Sequence, residues 1–149
     1  MTIYDLQVGD WVNVRQFPHG KNLIPVRVSS LAGGDLNSRG EGVVDVLVPR
    51  VTEGQVISSR TSDNCYPIPI TKEILDKNGF DVRDSSEAKF LVDEGNTTVT
   101  NITIKFHQGD MILLLRVYDQ YQRVEMKIQY VHELQQAMRL LKVNKDIVL

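Results

Sequence analysis

The chain has 149 residues, enough for one compact domain or two closely packed subdomains, and a chain of this length buries roughly 70% of its unfolded surface. Its 17 basic and 19 acidic residues leave a net charge of −2, which argues against strong non-specific binding to nucleic acid. A single cysteine excludes an internal disulfide, and the longest apolar run, Met111–Leu115, is far shorter than the roughly 20 residues that span a bilayer. We therefore expect a cytoplasmic protein that does not enter a membrane.

The first 65 residues predict short strands joined by turns. The segment Leu6–Val14 resembles the entry to a small SH3-like barrel, because a Val-Gly-Asp turn precedes a strand in which Val12 and Val14 alternate with polar residues. The same reasoning predicts three further strands over Ile24–Ser30, Gly42–Val48 and Gln55–Ser58. We predict a β-rich, barrel-like subdomain over residues 1–65 and a second part over residues 66–149.

A short helix is predicted directly after Pro67-Ile-Pro69, since each proline disfavours helix at the residue before it. Thr71 is a suitable N-cap, because its hydroxyl can accept a hydrogen bond from an N–H group of the first turn. Asn78-Gly79 predicts a left-handed end to the helix, and Phe80 stands where an apolar residue packs back across that end. This helix would link the two parts of the chain.

Two motifs carry a family resemblance. The segment Tyr66–Phe80 and the later Tyr-Val-His-Glu-Leu-Gln segment, Tyr130–Gln135, resemble a family of small uncharacterised proteins encoded in Bacteroidetes genomes and in their phages and prophages. The resemblance implies an order of elements: a β-rich opening, a short helix, several strands and a terminal helix. It implies no catalytic residue.

An antiparallel meander is predicted over residues 98–130. A two-residue turn at Gln108–Gly109 and a second at Gln120–Tyr121 put apolar residues opposite one another on one face. The first turn pairs Phe106 with Met111, Ile104 with Leu113 and Ile102 with Leu115. The second pairs Val117 with Val124, Leu115 with Met126, Leu113 with Ile128, Arg116 with Glu125 and Tyr118 with Arg123. A further strand is expected over Ala88–Val92.

A terminal helix is predicted over Val131–Leu141, because apolar residues including Leu134 and Met138 recur at helical spacing. Glu133, Gln136 and Arg139 are assigned to its solvent side. A helix that follows a sheet of three or four strands buries its apolar stripe on one face of that sheet. The predicted fold class is therefore α+β, and Asn144–Leu149 is expected to be a tail.

The other face of the predicted meander is also partly apolar. The apolar residues assigned to it are Phe90, Val92, Val99, Ile112 and Leu114, beside Thr103, Lys105 and Lys127. Because large apolar patches are seldom left in water, we expect cover from the N-terminal part and the Thr71–Lys77 helix, or from another chain. Phe90, Ile112 and Leu114 are therefore candidate interaction residues.

A second candidate surface involves Trp11, Arg15 and Arg27, which together could form an aromatic and basic surface on the N-terminal part. The alternative is that Trp11 belongs to the core, since burying one large ring contributes strongly to a small core. Both interpretations remain open from the sequence.

No constellation of residues predicts catalysis, a metal ion or a cofactor. The histidines, His19, His107 and His132, have no metal-binding spacing. His107 and His132 are expected to be solvated, and Cys65 is expected to be a buried or incidental thiol. We therefore expect a non-enzymatic phage or mobile-element accessory protein that binds a protein partner, forms a homo-oligomer or sequesters a host small molecule. The alternative is a nucleic-acid-binding module that uses the N-terminal part.

Overall fold

The computed structural model describes residues 5–15, 22–32, 43–49, 55–61, 64–83, 86–91, 99–107, 110–117, 123–143 and 145–149. Strands and helices in these residues are β1 (Trp11–Arg15), β2 (Leu23–Ala32), β3 (Val43–Pro49), β4 (Gln55–Thr61), β5 (Cys65–Tyr66), α1 (Lys72–Lys77), β6 (Glu87–Leu91), β7 (Val99–His107), β8 (Asp110–Val117), β9 (Arg123–Ile128) and α2 (Val131–Leu140). The chain forms two compact units, Met1–Ile68 and Pro69–Leu149. Antiparallel sheets with two helices agree with the predicted α+β class.

The first unit contains an antiparallel sheet with the strand order β4-β3-β2-β1-β5. The predicted alternation in β1 is confirmed, because Val12 and Val14 are fully buried while Asn13 is half-buried and Arg15 is exposed. The same core also contains Leu6, Cys65 and four valines of the neighbouring strands, Val26, Val28, Val44 and Val46. No pairing between β4 and β5 closes the sheet in the part of the chain that the structure describes.

The predicted turn before β1 is present. Gly9 has a φ of 88°, a conformation that glycine adopts at little cost, and the Asp10 N–H donates to the Gln7 carbonyl at 3.1 Å. The buried Asp10 carboxylate accepts from the Gln7 N–H at 2.8 Å. Gly9 N–H also donates to the Val28 carbonyl at 2.8 Å, which ties the turn to β2.

The second unit contains an antiparallel sheet with the order β6-β7-β8-β9. The predicted register of β7 on β8 is confirmed, with Phe106 opposite Met111, Ile104 opposite Leu113 and Ile102 opposite Leu115. Residues 108 and 109, where the turn was predicted, lie outside the described residues. The agreement follows from the apolar pattern, because a slip of one residue would turn every apolar side chain to the other face.

The predicted register of β8 on β9 is wrong by two residues. Leu113 pairs with Met126 rather than with Ile128, so Arg116 stands opposite Arg123 and the partner of Glu125 is Leu114. A shift of two residues keeps every residue on its predicted face, since side chains alternate with a period of two. The apolar pattern alone therefore could not distinguish the two registers. The predicted turn at 120–121 and Tyr118 lie outside the described residues.

The predicted position of Phe90 is also wrong. Phe90 pairs with Ile102, which places it on the face of the buried Ile102 and Ile104 and not on the face of Ile112 and Leu114. Its ring lies 5.0 Å from the ring of Phe80, which is buried. The prediction placed the Phe90 side chain on the other face of the sheet, and a register that differs by an odd number of residues reverses the faces.

The linking helix lies against this same face. Lys72 of α1 places its ammonium 4.9 Å from the ring centroid of Phe106, and Phe106 lies two residues from Ile104 on β7 and so on the same face. The prediction that this helix covers the face of Ile112 and Leu114 is therefore wrong. On that other face Lys89, Lys105 and Lys127 are exposed, and the backbone of Ile112 pairs with both Lys105 and Lys127. Val92 lies outside the described residues.

The ends of α1 form as the sequence predicts. Thr71 accepts a hydrogen bond from the Ile74 N–H at 3.3 Å. At the other end Gly79 has a φ of 77°, its N–H donates to the Asp76 carbonyl at 2.8 Å, and the Phe80 N–H donates to the Leu75 carbonyl at 3.0 Å. These two bonds constitute a Schellman motif, and Leu75 and Phe80, at the two positions whose apolar contact accompanies this motif, are both buried.

Helix α2 buries the predicted stripe, since Leu134 is fully buried and Met138 is 1% exposed. Glu133 was predicted to lie on the solvent side of the helix, but its side chain also makes backbone hydrogen bonds. Its carboxylate accepts from the N–H groups of Gln129 at 2.7 Å and Tyr130 at 3.1 Å, so it satisfies two backbone donors at the start of the helix. His132 was also expected to be solvated, but it is 5% exposed and its ring stacks on the Tyr130 ring at 5.8 Å.

We expect Glu133→Ala to lower the free energy of unfolding by about 1 kcal/mol, because the substitution leaves both backbone donors without this acceptor and removes a negative charge from the positive end of the helix dipole. Glu133→Gln keeps an acceptor oxygen in the same place and should lose less than half as much. Equilibrium urea unfolding of the two variants provides the comparison. Equal losses would show that these hydrogen bonds are unimportant for stability.

Residues 145–149, which belong to the predicted C-terminal tail, are instead packed within the second unit. Ile147 is fully buried, and the Val148 N–H donates to the Asn78 Oδ1 at 2.8 Å. The Asn78 Nδ2 donates to the Val148 carbonyl at 2.7 Å and to the Ile74 carbonyl at 2.7 Å. Asn78 is 2% exposed, and both the oxygen and the nitrogen of its side-chain amide are hydrogen-bonded. These bonds connect the end of α1 to the backbone of Val148.

Candidate functional site

One face of the first sheet combines aromatic rings with arginines. Strand alternation places Trp11 and Arg15 of β1 on the side opposite the buried Val12 and Val14. Antiparallel pairing sets Arg27 of β2 directly opposite Trp11. It also sets Tyr66 of β5 opposite Asn13, the residue between Trp11 and Arg15 on this face. We call the surface that contains Trp11, Arg15, Arg27 and Tyr66 the arginine–aromatic face.

The contact between Arg27 and Trp11 is the closer of two cation–π contacts. The guanidinium carbon of Arg27 lies 4.7 Å from the centroid of the Trp11 ring, and both side chains are half-buried. Trp is the aromatic residue that attracts a cation most strongly, and such a contact contributes roughly 0.5–2 kcal/mol depending on its exposure. The contact therefore places the Arg27 guanidinium over the Trp11 ring on this face of the sheet.

The second contact joins Arg15 to Tyr66. The guanidinium carbon of Arg15 lies 5.8 Å from the Tyr66 ring centroid, and Arg15 is exposed. This contact is longer and more solvated than the first, so we expect it to be the weaker of the two. It depends on β5, because the pairing of Tyr66 with Asn13 is what brings the ring beside β1.

Apolar side chains continue the face towards β4. Leu47 pairs with Arg27 and Ile57 pairs with Leu47, so one row crosses four strands in the order Ile57, Leu47, Arg27 and Trp11. Ile57 is 64% exposed, a large value for an isoleucine in the middle of a strand. At the other end of β2, Leu23 stands opposite Arg15 and is 46% exposed. The exposed side of this sheet is therefore more apolar than the polar surface expected of a solvated antiparallel sheet.

One acidic residue lies beside this row. Asp45 accepts hydrogen bonds from the hydroxyls of Ser59 at 2.6 Å and Ser30 at 2.7 Å. These bonds, from Ser59 first and then Ser30, lower the pKa of Asp45 below its ordinary value, so the carboxylate is ionised at neutral pH. Among the described positions of the face, the charged residues are thus Arg15 on β1, Arg27 on β2 and Asp45 on β3.

Sequence reasoning named part of this surface. Trp11, Arg15 and Arg27 lie on one face as the first interpretation held, and Trp11 is half-buried and not part of the core. Tyr66 was missed because it was assigned to the entry of the linking helix. Ile57 had a signal in the sequence, since it falls inside a predicted strand. Phe90, Ile112 and Leu114 belong to the second unit and do not contribute to this face.

The described residues contain no group of three or more His, Cys, Asp or Glu side chains that could hold a metal ion. Cys65 is 2% exposed and belongs to the core of the first unit. No helix within the described ranges is both long and apolar enough to cross a membrane.

Comparisons with known proteins give no match to a protein-family model, to a curated protein or to a solved structure.

Proposed function

We propose that this chain is a non-enzymatic phage or mobile-element accessory protein, and that it binds a protein partner through the arginine–aromatic face. The observation that carries the proposal is the row of Ile57, Leu47, Arg27 and Trp11 across four strands. Trp, Tyr and Arg are enriched in protein interfaces and dominate their binding energy, whereas Lys and Glu are depleted there. The phage origin rests on the resemblance of the Pro-Ile-Pro and Tyr-Val-His motifs, which also favours the host cytoplasm as its location.

The composition of the face supports this proposal against a merely solvated sheet. A solvated sheet face usually carries Lys, Glu and Thr, because those side chains interact well with water and discourage association. The described positions of this face include no Lys or Glu, and they expose Ile57 and Leu23 instead. Exposed apolar side chains grouped with Trp and Arg are typical of a surface that another molecule covers.

A nucleic-acid-binding module with a barrel-like first unit is the second candidate. Arginines beside Trp11 and Tyr66 favour it, because bases stack on aromatic rings and phosphates pair with arginine. Three observations weaken it: Arg27 and Arg15 each lie over one of the rings, the ionised Asp45 stands on the same face, and the chain has a net charge of −2. A protein partner is therefore the better proposal.

The test is recovery of the tagged protein from host cells, followed by mass spectrometry of the chains and small molecules that accompany it. The variant Ile57→Glu places a charge at the β4 end of the row of Ile57, Leu47, Arg27 and Trp11. Leu140→Glu is the matched control, since Leu140 is 75% exposed on α2 in the other unit. We expect a partner chain with the wild type and with Leu140→Glu, and at least about a tenfold loss with Ile57→Glu, which corresponds to 1.4 kcal/mol.

Recovery of the same chain in equal amounts with both variants would contradict the proposed surface. Recovery of a small molecule or of nucleic acid, without a protein chain, would contradict the proposed class of partner. Thermal unfolding of both variants checks that they remain folded, which we expect because both positions are exposed.

A further inference from the structure

Asp45 is the acidic residue among the described positions of the arginine–aromatic face, and its neighbours along β3 are apolar. Alternation along the strand places Val43, Asp45 and Leu47 on one side, opposite the buried valines of β3. Val43 is exposed, and so is Ile57, which stands opposite Leu47 on β4. A charged group therefore lies between exposed apolar positions of the same sheet face.

Serine hydroxyls on the two neighbouring strands bind the Asp45 carboxylate. Ser59 of β4 and Ser30 of β2 stand opposite Asp45, and each donates its hydroxyl to a different carboxylate oxygen, at 2.6 Å and 2.7 Å. These bonds orient the carboxylate, and they lower the pKa of Asp45 so that it stays ionised. Each of the four oxygens keeps a lone pair after these bonds, so further N–H donors can be accepted there. We call Ser30, Asp45 and Ser59 the acceptor row.

The arginines of the face do not neutralise this carboxylate. Among the described residues, no basic side chain forms an ion pair with Asp45. The Arg27 guanidinium lies over the ring of Trp11, on the β1 side of β2, whereas Asp45 lies on the other side of β2. Arg15 lies over Tyr66, on strands that are farther still from β3. The negative charge of Asp45 is therefore left for a group outside the described residues.

A partner that covers the apolar row would also cover Asp45. The proposed function places a partner over Leu47 and Ile57, and Asp45 lies in the next row of the same face, about 7 Å along the strands. A purely apolar surface would take the carboxylate out of water without a counter-charge, which opposes binding. A cationic side chain avoids this loss, because its N–H groups meet the acceptor row while its apolar stem packs beside Ile57. Charge complementarity thus selects the partner.

We propose that the partner of the arginine–aromatic face carries one positively charged side chain within an apolar segment, that this side chain pairs with Asp45, and that the apolar residues beside it contact Ile57 and Val43. This inference rests on the proposed function and specifies the chemistry of the partner. Asp45 is a binding residue in it, and no covalent bond is formed or broken.

The direct test uses a pool of short synthetic peptides with one arginine in the middle, apolar residues varied beside it, and glycine and serine at the ends. A matched pool carries citrulline in place of arginine, which has nearly the same shape but no charge. Fluorescence polarisation of the labelled peptides measures binding to the full chain at about 0.1 M salt. We expect arginine peptides to bind, and the same peptides with citrulline to bind at least about tenfold more weakly.

Substitutions in the protein separate the carboxylate from the apolar residues. Asp45→Asn keeps the size of the side chain and removes its charge, so it should weaken binding of the arginine peptides about tenfold. Asp45→Lys reverses the charge, and it should bind a pool with glutamate in place of arginine more tightly than the arginine pool. Asp76→Asn is the matched control, because Asp76 is exposed on α1 in the second unit, and it should leave the affinity unchanged. Circular dichroism shows whether each variant is folded.

The proposal is overturned if no arginine peptide of the pool binds, if the citrulline peptides bind equally well, or if Asp45→Asn binds the arginine peptides as the wild type does. It is also overturned if sedimentation shows a wild-type dimer that Asp45→Asn dissociates, because the positive charge would then come from a second copy of this chain. A partner chain from host cells that is lost with Ile57→Glu but fully retained with Asp45→Asn would refute this inference and leave the proposed function intact. Recovery of no partner chain would refute the proposed function itself.

Discussion

Leu134→Ala should lower the free energy of unfolding by roughly 2–5 kcal/mol, because it removes most of a fully buried side chain and leaves a cavity that its neighbours only partly fill. Leu134 lies in α2 and is 0% exposed, among the buried residues of that helix, which include Val131, Ala137 and Met138. Equilibrium unfolding in urea, followed by far-ultraviolet circular dichroism, measures the change.

The same helix supplies a control with the identical substitution. Leu140 is 75% exposed, so Leu140→Ala should change the free energy of unfolding by less than about 0.5 kcal/mol. The difference between the two leucines comes from burial alone, since both substitutions have the same effect on helix propensity. If both variants lose equal stability, the apolar stripe of α2 is assigned to the wrong side of the helix.

Ile147→Ala should produce a loss of similar size, roughly 2–5 kcal/mol, although the residue lies in the segment that the sequence assigned to a tail. Ile147 is 0% exposed, and the next residue is held by two hydrogen bonds between its backbone and the side chain of Asn78. The isoleucine therefore fills part of the core of the second unit, and its truncation leaves a cavity.

Val148→Ala is the control for this segment. Val148 is 50% exposed, and alanine keeps the backbone N–H and carbonyl that bond to Asn78, so the loss should stay below about 0.5 kcal/mol. The melting temperatures and urea midpoints of both variants provide the measurement. A wild-type midpoint for Ile147→Ala would mean that this segment is not packed in solution and that the sequence-based expectation was right.

Features that depend on neighbouring residues were predictable from the sequence. The N-cap at Thr71, the Schellman ending at Gly79 and Phe80, and the turn at Gly9 each depend on residues within about one turn of chain, where a single side chain or a positive φ decides the conformation. The register of β7 on β8 was predictable because every alternative by one residue would turn apolar side chains away from the core.

The candidate site was only partly predictable. Trp11 and Arg15 could be placed on one face of β1 by alternation, and Arg27 belonged to a neighbouring strand. The contribution of Tyr66 depends on the pairing of a two-residue strand with β1, and so short a segment carries no periodic pattern of its own. The position of Ile57 in the same row depends on two successive strand registers, which the sequence constrains only weakly.

Apolar periodicity and capping chemistry act over a few residues, so the α+β class, the order of the elements apart from β5, and the signals that start and end them could be predicted from the sequence. The register of β8 on β9, the face that Phe90 occupies and the burial of Ile147 are evident only from the folded structure. The register of β8 on β9 could not be predicted because a shift of two residues preserves the apolar face. The face of Phe90 depends on the register of β6, which a long connection to β7 leaves open. The short apolar segment near Ile147 gains stability only from residues far away in sequence, such as Asn78. Because the contacts of this segment are non-local, no pattern within residues 145–149 predicts its burial.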